Sequence, residues 1–208
     1  MNFTPEPLAT RWISYGGRSP IISVFKQFHP LNSEIEQVIN EQTFPVNFAR
    51  NKHIASPIMP NRYIFLILSG ATHGFIRAAG KKITTWIAVE GELAGTISNL
   101  WHGGQSEEYI ETIEPVSAIA IPHEMSMYLY ANFPIANFVG RQMTELYYQG
   151  ASERAFIARL PNARLRYDRF FISYGHLLDR VPLKYIASFL CMRLETLSRI
   201  RSELASSG

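Results

Sequence analysis

The chain has 208 residues, of which 47% are hydrophobic and 18% are charged, a composition typical of folded globular proteins and not of disordered ones. Its net charge of +3 is compatible with nucleic acid but does not by itself favour it. A single cysteine, Cys191, excludes an internal disulfide and a cysteine-rich zinc or iron–sulfur site. Because the N-terminus has no signal-like apolar region and no run is long enough to cross a bilayer, we expect a cytoplasmic protein without membrane association.

The first 122 residues divide into a helical and a strand-rich part. Helical spacing between Ile21 and Asn40 predicts helices that Pro30 interrupts. Further on, turn residues such as Ser69-Gly70, Ala79-Gly80, Pro60-Asn61 and His102 to Gly104 separate short apolar runs, which is typical of a sandwich or small barrel. The predicted strands are Phe44–Phe48, Tyr63–Leu68, Gly74–Arg77, Lys82–Val89, Tyr109–Ile113 and Ala118–Ile121.

A long amphipathic helix is predicted from Pro134 to Leu160. Proline is well suited to a first helical turn, and apolar residues then follow at three- and four-residue steps. The apolar face of this helix needs a partner, which is either the chain's own domain or the same helix of a second subunit. After Pro161, the segment from Leu165 to Leu178 is predicted to form another helix.

The segment from Val181 to Leu204 predicts two short helices joined by a tight connection at Cys191–Arg193. Ile186, Ala187 and Leu190 face inward in the first helix, and Leu197, Ile200 and Leu204 do so in the second. The outward side of the second helix carries hydroxyl and charged side chains that suit phosphate contacts and base reading: Glu195, Thr196, Ser198, Arg199, Arg201 and Ser202. An ordinary helical hairpin with a solvated polar face is the alternative. Residues 141–208 hold ten Arg and one Lys against six acidic residues, so this third of the chain is the more basic.

The same segment resembles the helix-turn-helix of the Crp/Fnr family of bacterial transcription regulators, in which a Val-Pro-x-x-x-Ile-Ala-x-x-Leu helix precedes Glu-Thr-Leu-Ser-Arg-Ile-Arg. The resemblance implies that the helix from Leu194 to Leu204 enters the DNA major groove. It places Glu195 and Arg199 at base-reading positions, with Thr196 and Ser198 near the DNA backbone.

Three residues of the motif depart from the family pattern, and the family's β-hairpin wing is expected to be short or missing. Cys191 replaces a turn glycine, so local backbone strain is expected. Leu194 replaces a residue that is often polar, and Arg193 stands at a helix start where Ser or Thr would cap better.

The strand-rich part is similar to the cyclic-nucleotide-binding β-roll of that family, over residues 62–70, 80–93 and 110–121. There the resemblance implies turn glycines at Gly70 and Gly80 and a ligand pocket that includes Gly91, Glu92 and Ser106. Gly91-Glu92 matches the pair that opens the family's phosphate cassette, which implies a ligand-binding role for Glu92. A role in stabilising the turn is equally consistent with this residue. The arginine that would grip a cyclic phosphate is replaced near Ser106, where Glu107 and Glu108 would repel it. The adenine-capping pair falls at Gly150-Ala151, which have no side-chain donor, so cyclic AMP is not expected to bind.

No catalytic motif is present, and we do not expect an enzyme. A cupin-like metal site is the strongest enzymatic alternative, because four histidines lie in the strand-rich part. It is disfavoured because they lack His-x-His spacing. These histidines are His53, His73, His102 and His123.

The sequence therefore predicts an α+β protein in three parts: a double-stranded β-helix (β-roll) sensor domain at 1–133, a dimerisation helix at 134–160 and a helix-turn-helix domain at 161–208. Its expected partners are double-stranded DNA, a second copy of the chain, RNA polymerase and a small-molecule effector in the β-roll, with no required cofactor or metal. Two alternatives remain open: a ligand-binding module that has lost DNA binding, and a constitutive DNA-binding protein with a vestigial pocket.

Overall fold

The computed structural model describes residues 3–58, 62–96 and 106–206. Helices come first, up to residue 42, strands follow between residues 44 and 122, and helices form the rest of the described chain from residue 123. The helices are α1 (Leu8–Arg11), α2 (Pro20–Lys26), α3 (Ser33–Gln42), α4 (His123–Asn132), α5 (Pro134–Arg159), α6 (Ala163–Tyr174), α7 (Leu183–Phe189) and α8 (Leu194–Ala205). The strands are β1 (Phe44–Phe48), β2 (His53–Ala55), β3 (Tyr63–Ser69), β4 (Thr72–Ala78), β5 (Lys81–Ala88), β6 (Leu93–Ala94), β7 (Tyr109–Thr112) and β8 (Val116–Pro122).

All six predicted strands are confirmed, as are the helices on either side of Pro30 and the long helix that begins at Pro134. Two short strands, β2 and β6, and the helix α4 were not predicted. In α4 the apolar and polar side chains do not segregate to opposite faces, so helical periodicity gives no signal there. The predicted turns at Pro60-Asn61 and at His102 to Gly104 lie outside the described residues.

The strands form two four-stranded sheets, with strand orders β1-β8-β3-β6 and β2-β7-β4-β5. In the first sheet, β8 pairs antiparallel with both β1 and β3, and Ala120 lies opposite Phe44 on one side and Phe65 on the other. This arrangement confirms the predicted β-roll within an α+β fold.

Two turns require unusual backbone angles, as predicted for their glycines. Gly70 has a φ of +93°, and a Cβ there would lie 2.2 Å from the carbonyl oxygen of Pro115, so no larger residue fits. Ala79 and Gly80, both with positive φ, make the two-residue turn between β4 and β5, as is typical of tight hairpins.

The chain forms two compact units, of which the first comprises residues 1–73 and 87–145. In its core, helices α2, α3 and α4 pack on one face of the first sheet through fully buried side chains, among them Ile21, Ile39, Leu66, Ile119 and Met125. Each such side chain contributes on the order of 1.5–3 kcal/mol when it leaves water. Asn32 caps α3, because its side-chain oxygen accepts a hydrogen bond from the Ile35 N–H at 2.8 Å.

The second unit comprises residues 74–86 and 146–208, so it contains the tip of the β4–β5 hairpin together with the C-terminal helices. Its core is built from α5 through α8 around the buried side chains of Ile157, Phe170, Ile186, Leu197 and Ile200. Phe170 and Phe189 pack edge to face, with ring centroids 5.3 Å apart. These contacts hold α7 and α8 on α6.

Candidate nucleic-acid interface and predicted effector site

Helices α7 and α8 adopt the two-helix arrangement predicted from the C-terminal motif. Helix α7 ends at Phe189 and α8 begins at Leu194, so only residues 190–193 connect them. Ile186, Ala187 and Leu190 are buried, and Leu197 and Ile200 are buried on the facing side of α8. The small Ala187 side chain allows the two backbones to approach closely.

The connection between the two helices carries two local defects that were predicted. Cys191 has a φ of +52°, a left-handed conformation that costs a non-glycine residue free energy. The turn is closed by hydrogen bonds from the Cys191 N–H to the Ser188 carbonyl and from the Met192 N–H to the Ala187 carbonyl. At the start of α8, the Arg193 side chain makes no capping hydrogen bond, so the predicted poor cap is also confirmed.

The structure brings Glu195, Ser198 and Arg199 together on the exposed side of α8, opposite the buried Leu197 and Ile200. The Arg199 side chain is 73% exposed, and its Nε lies 3.9 Å from a Glu203 carboxylate oxygen. Its guanidinium is therefore available to a ligand.

Thr196 and Arg201, also predicted to contact DNA, lie at the flanks of this exposed side. Both are half-buried, and a terminal nitrogen of Arg201 lies 3.9 Å from a carboxylate oxygen of Asp179. Leu194, at the beginning of α8, is 42% exposed. The exposed polar face of α8 therefore contains only some of the residues that the sequence predicted for DNA contact.

Gly91 and Glu92, the residues predicted to begin a ligand pocket, form a tight turn before β6. Gly91 has a φ of +84°, and its N–H donates to the Ile67 carbonyl at 2.9 Å. The Glu92 carboxylate accepts a hydrogen bond from the Val89 N–H at 3.0 Å. This hydrogen bond stabilises the turn, and a ligand-binding role for Glu92 stays a prediction.

Ser106, the third predicted pocket residue, is buried with 2% of its surface exposed, and its hydroxyl accepts a hydrogen bond from the Glu108 N–H at 3.1 Å. Glu107 is exposed and Glu108 is half-buried. Two carboxyl groups thus follow the serine at the start of the described segment. Residues 97–105, which include His102, lie outside the described residues.

A buried carboxylate between two histidines was missed by the sequence analysis. Glu111 on β7 lies directly opposite His53 on β2, and its two carboxylate oxygens lie 3.2 Å from His53 Nε2 and 3.5 Å from His73 Nε2. His73 and Glu111 are only 1% and 7% exposed. The pairing of distant strands makes this cluster, and no local spacing reveals it. Over the described parts of the chain, no group of three or more His, Cys, Asp or Glu is arranged to hold a metal ion.

An ion pair between α5 and α6 was also missed. Arg169 makes two hydrogen bonds to the Glu153 carboxylate, at 2.8 and 2.6 Å, and the Ser173 hydroxyl donates a third at 2.7 Å. The Arg169 hydrogen bond is the main reason that the pKa of Glu153 lies below its usual range. The arrangement joins the end of the long helix to α6.

None of the helices in the described segments is both long enough and apolar enough to span a bilayer.

Comparison with known proteins gives no match by sequence and a clear match by structure. No family model matches the chain, and no curated protein matches it. Among solved structures, FixK2 from Bradyrhizobium japonicum is 18% identical with a TM-score of 0.69, over 80% of this chain and 86% of that chain.

Two further solved structures are regulators of the same architecture. A protein from Eubacterium rectale assigned to the Crp/Fnr family of transcriptional regulators is 15% identical with a TM-score of 0.67, over 86% of this chain and 85% of that chain. The c-di-GMP-responsive global regulator CLP from Xanthomonas campestris is 13% identical with a TM-score of 0.61, over 85% and 93%. The chain therefore has the fold of the Crp/Fnr regulators, with a cyclic-nucleotide-binding-like β-roll followed by a C-terminal helical region.

Proposed function

We propose that this protein is a cytoplasmic DNA-binding transcription regulator of the Crp/Fnr type. It acts as a homodimer, and each chain consists of a sensor domain, a dimerisation helix and a helix-turn-helix domain. The observation that carries the proposal is the exposed face of α8, where Glu195, Ser198 and Arg199 lie together. A bidentate guanidinium on an exposed helix is the common reader of guanine in the major groove, and a carboxylate accepts from cytosine.

Two recognition helices in a dimer would read a palindromic site with half-sites about one helical turn apart. RNA polymerase is the expected further partner at a promoter. The excess of arginine over acidic residues in positions 141–208 supports this assignment, because cations near the DNA backbone release counterions and raise affinity.

The sensor domain is proposed to respond to a small molecule other than cyclic AMP. Ser106 stands where a phosphate-gripping arginine would be needed, and Glu107 and Glu108 follow it. Carboxylates repel a cyclic phosphate, and serine cannot replace a bidentate guanidinium. CLP, a regulator with the same fold, is c-di-GMP-responsive. This supports the view that a β-roll of this fold can respond to an effector other than cyclic AMP.

A ligand-binding module that has lost DNA binding is the second candidate function. The left-handed Cys191, the uncapped start of α8 and the exposed Leu194 favour it. Each of these weakens or alters the helix that would read DNA.

The deciding experiment is a selection of genomic DNA fragments by the purified protein, with and without cyclic AMP, for the wild type and for Arg199→Ala. We expect a palindromic site whose enrichment does not depend on cyclic AMP. Loss of the Arg199 guanidinium should weaken binding to that site by about 1–3 kcal/mol and relax the base preference at one position in each half-site.

Arg141→Ala is the matched control, because Arg141 is also exposed and pairs with a glutamate four residues later, at 3.0 Å from Glu145. It removes the same charge far from α8 in sequence, so site preference should remain that of the wild type. Failure to enrich any sequence, with or without cyclic AMP, would favour the ligand-binding module. Equal base preference in the wild type and Arg199→Ala would contradict the assigned role of Arg199.

A further inference from the structure

The side chain of Phe3, near the N-terminus, packs into a group of four aromatic rings. Its ring centroid lies 5.7 Å from that of Phe44, 6.1 Å from Phe48, 5.3 Å from Tyr63 and 6.4 Å from Phe65. Three of these four contacts are edge to face, the arrangement that aromatic rings prefer. We call Phe44, Phe48, Tyr63 and Phe65 the aromatic box.

The aromatic box is held together without Phe3. Its own rings contact one another, with centroids 5.7 Å apart for Phe44 and Tyr63 and 5.4 Å apart for Phe48 and Phe65. The four rings stand on β1 and β3, which both pair with β8. Between Phe44 and Phe65 the central strand has the small, fully buried Ala120. Large rings therefore flank a small residue on this sheet, and the Phe3 ring packs against all four of them.

After Phe3, the next anchor of the N-terminal segment is Glu6, whose carbonyl accepts hydrogen bonds from the Arg11 guanidinium at 3.0 and 2.8 Å. The segment has no regular secondary structure between residues 3 and 7, and residues 4–7 are exposed while Phe3 is half-buried. Between Phe3 and that anchor, the burial of one ring must offset the ordering of the exposed residues 4 and 5. Such a balance favours exchange of this ring for a free molecule of similar shape.

We propose that the aromatic box is a binding site for a flat, uncharged aromatic molecule of one or two rings, and that Phe3 occupies the site in the absence of that ligand. Binding then releases the N-terminal segment from the first unit. The proposal goes beyond the proposed function and does not depend on DNA binding.

The chemistry of the box defines this ligand class. All four side chains are aromatic and uncharged, so a charged ligand would lose its hydration without gaining a partner. Edges and faces of the rings are arranged to receive another ring, as Phe3 shows. The Tyr63 hydroxyl is the one polar side-chain group among the four, and it can orient a ligand that has a single donor or acceptor.

The test is a titration of 5-fluoroindole, followed by fluorine NMR, into the full-length wild type and Phe3→Ala. The apparent affinity for a ligand scales with the fraction of molecules in which the site is open. If the Phe3 ring occupies the aromatic box in about nine of ten molecules, the wild type should bind 5-fluoroindole roughly tenfold more weakly than a protein with an open box. We therefore expect Phe3→Ala to bind 5-fluoroindole about tenfold more tightly than the wild type. Equal affinity of the two proteins, or no binding by folded Phe3→Ala, would overturn the proposal.

Two further variants locate the probe. Phe171→Ala removes a ring that is 59% exposed on α6, in the second unit, and it should bind like the wild type. Phe65→Leu, combined with Phe3→Ala, keeps an apolar side chain but removes one wall of the box and should lower the affinity. Undiminished binding by that double variant, with a wild-type-like circular dichroism spectrum, would place the probe elsewhere and contradict the proposal.

A measurement on the wild type alone guards against a variant that does not fold. Saturating 5-fluoroindole should lower the heteronuclear NMR order parameters of the Phe3 and Thr4 amides, because the released segment loses the anchor that the Phe3 ring provides. Unchanged or higher order parameters there would contradict displacement of Phe3.

Discussion

At Cys191 a side chain stands in a backbone conformation that suits glycine. The φ of +52° lies in the left-handed region, and the turn it makes is required by the short connection between α7 and α8. The local cost is tolerated because the buried Ile186, Leu190 and Leu197 on both sides hold the two helices in place.

Cys191→Gly should therefore stabilise the protein. Relief of the left-handed strain is worth about 1–2 kcal/mol, and the greater freedom of glycine in the unfolded chain offsets about half of it. We expect a net gain of roughly 0.5–1 kcal/mol in the free energy of unfolding, measured by urea denaturation. Cys191→Ala is the control, because it keeps a Cβ and should gain nothing; a similar gain in both variants would show that the backbone angle is not the cause.

Among the helices, the contact between α5 and α6 depends on a charged cluster. Glu153 accepts hydrogen bonds from Arg169 and Ser173, and those bonds depress its pKa. A carboxyl group with a lower pKa in the folded state stabilises that state above its unfolded pKa. The stabilisation is lost as the pH falls through the folded pKa.

Glu153→Gln should consequently be less stable than the wild type at pH 7, and the difference should shrink as the pH falls below about 4. Urea midpoints of both proteins across that range measure the effect. Glu145→Gln is a suitable control, because Glu145 and Arg141 form an exposed pair that contributes little. A difference in urea midpoint between Glu153→Gln and the wild type that does not change with pH would contradict the electrostatic explanation.

The β4–β5 hairpin and α7 contact each other within the second unit through Ser188. The Thr84 N–H donates to the Ser188 hydroxyl at 2.9 Å, and that hydroxyl lies 3.3 Å from the Lys82 carbonyl, to which it donates. Strand β5 lies at the edge of its sheet, so a side chain here satisfies backbone groups that edge strands leave open.

Ser188→Ala should expose the Thr84 amide to faster hydrogen exchange and cost about 1 kcal/mol of stability. Ser202→Ala removes an exposed hydroxyl from α8 and should leave Thr84 exchange unchanged, which makes it the control. If exchange at Thr84 is the same in Ser188→Ala and the wild type, the hydroxyl does not hold the hairpin.

For the whole molecule, the exposed apolar side chains of the second half of α5 point to association. Leu146, Tyr148 and Phe156 are 56%, 72% and 57% exposed, unusual for large apolar residues on one helix of a soluble monomer. Tyr148 and Phe156 are eight residues apart and share a side of the helix, whereas Leu146 points away from Tyr148. A dimer along α5, part of the proposed function, would bury Tyr148 and Phe156 and set the spacing of two α8 helices.

Phe156→Glu should convert the dimer to a monomer in analytical ultracentrifugation, because a carboxylate would lose hydration in an apolar interface. The same substitution at Phe171, an equally exposed ring on α6, should leave the dimer intact. A dimer that survives Phe156→Glu but not Phe171→Glu would move the interface to α6.

Local patterns in the sequence were sufficient for most elements and for the C-terminal motif. The strain at Cys191 was expected from the resemblance to a motif with a turn glycine at that position, and the structure confirms it. The strand runs, the break at Pro30 and the start of α5 at Pro134 all depend on residues close together in the chain. For the same reason the turn glycines at positions 70 and 80 could be predicted, since backbone sterics act within a few residues.

Only the tertiary structure decided which distant side chains meet. The pairing of β2 with β7 sets His53 beside Glu111, and the packing of α5 against α6 joins Glu153 to Arg169. Phe3, in a segment without periodicity, reaches the rings of β1 and β3. These contacts arise from long-range packing, which a period of two or of 3.6 residues does not encode, because such periods record only which side of an element faces the core.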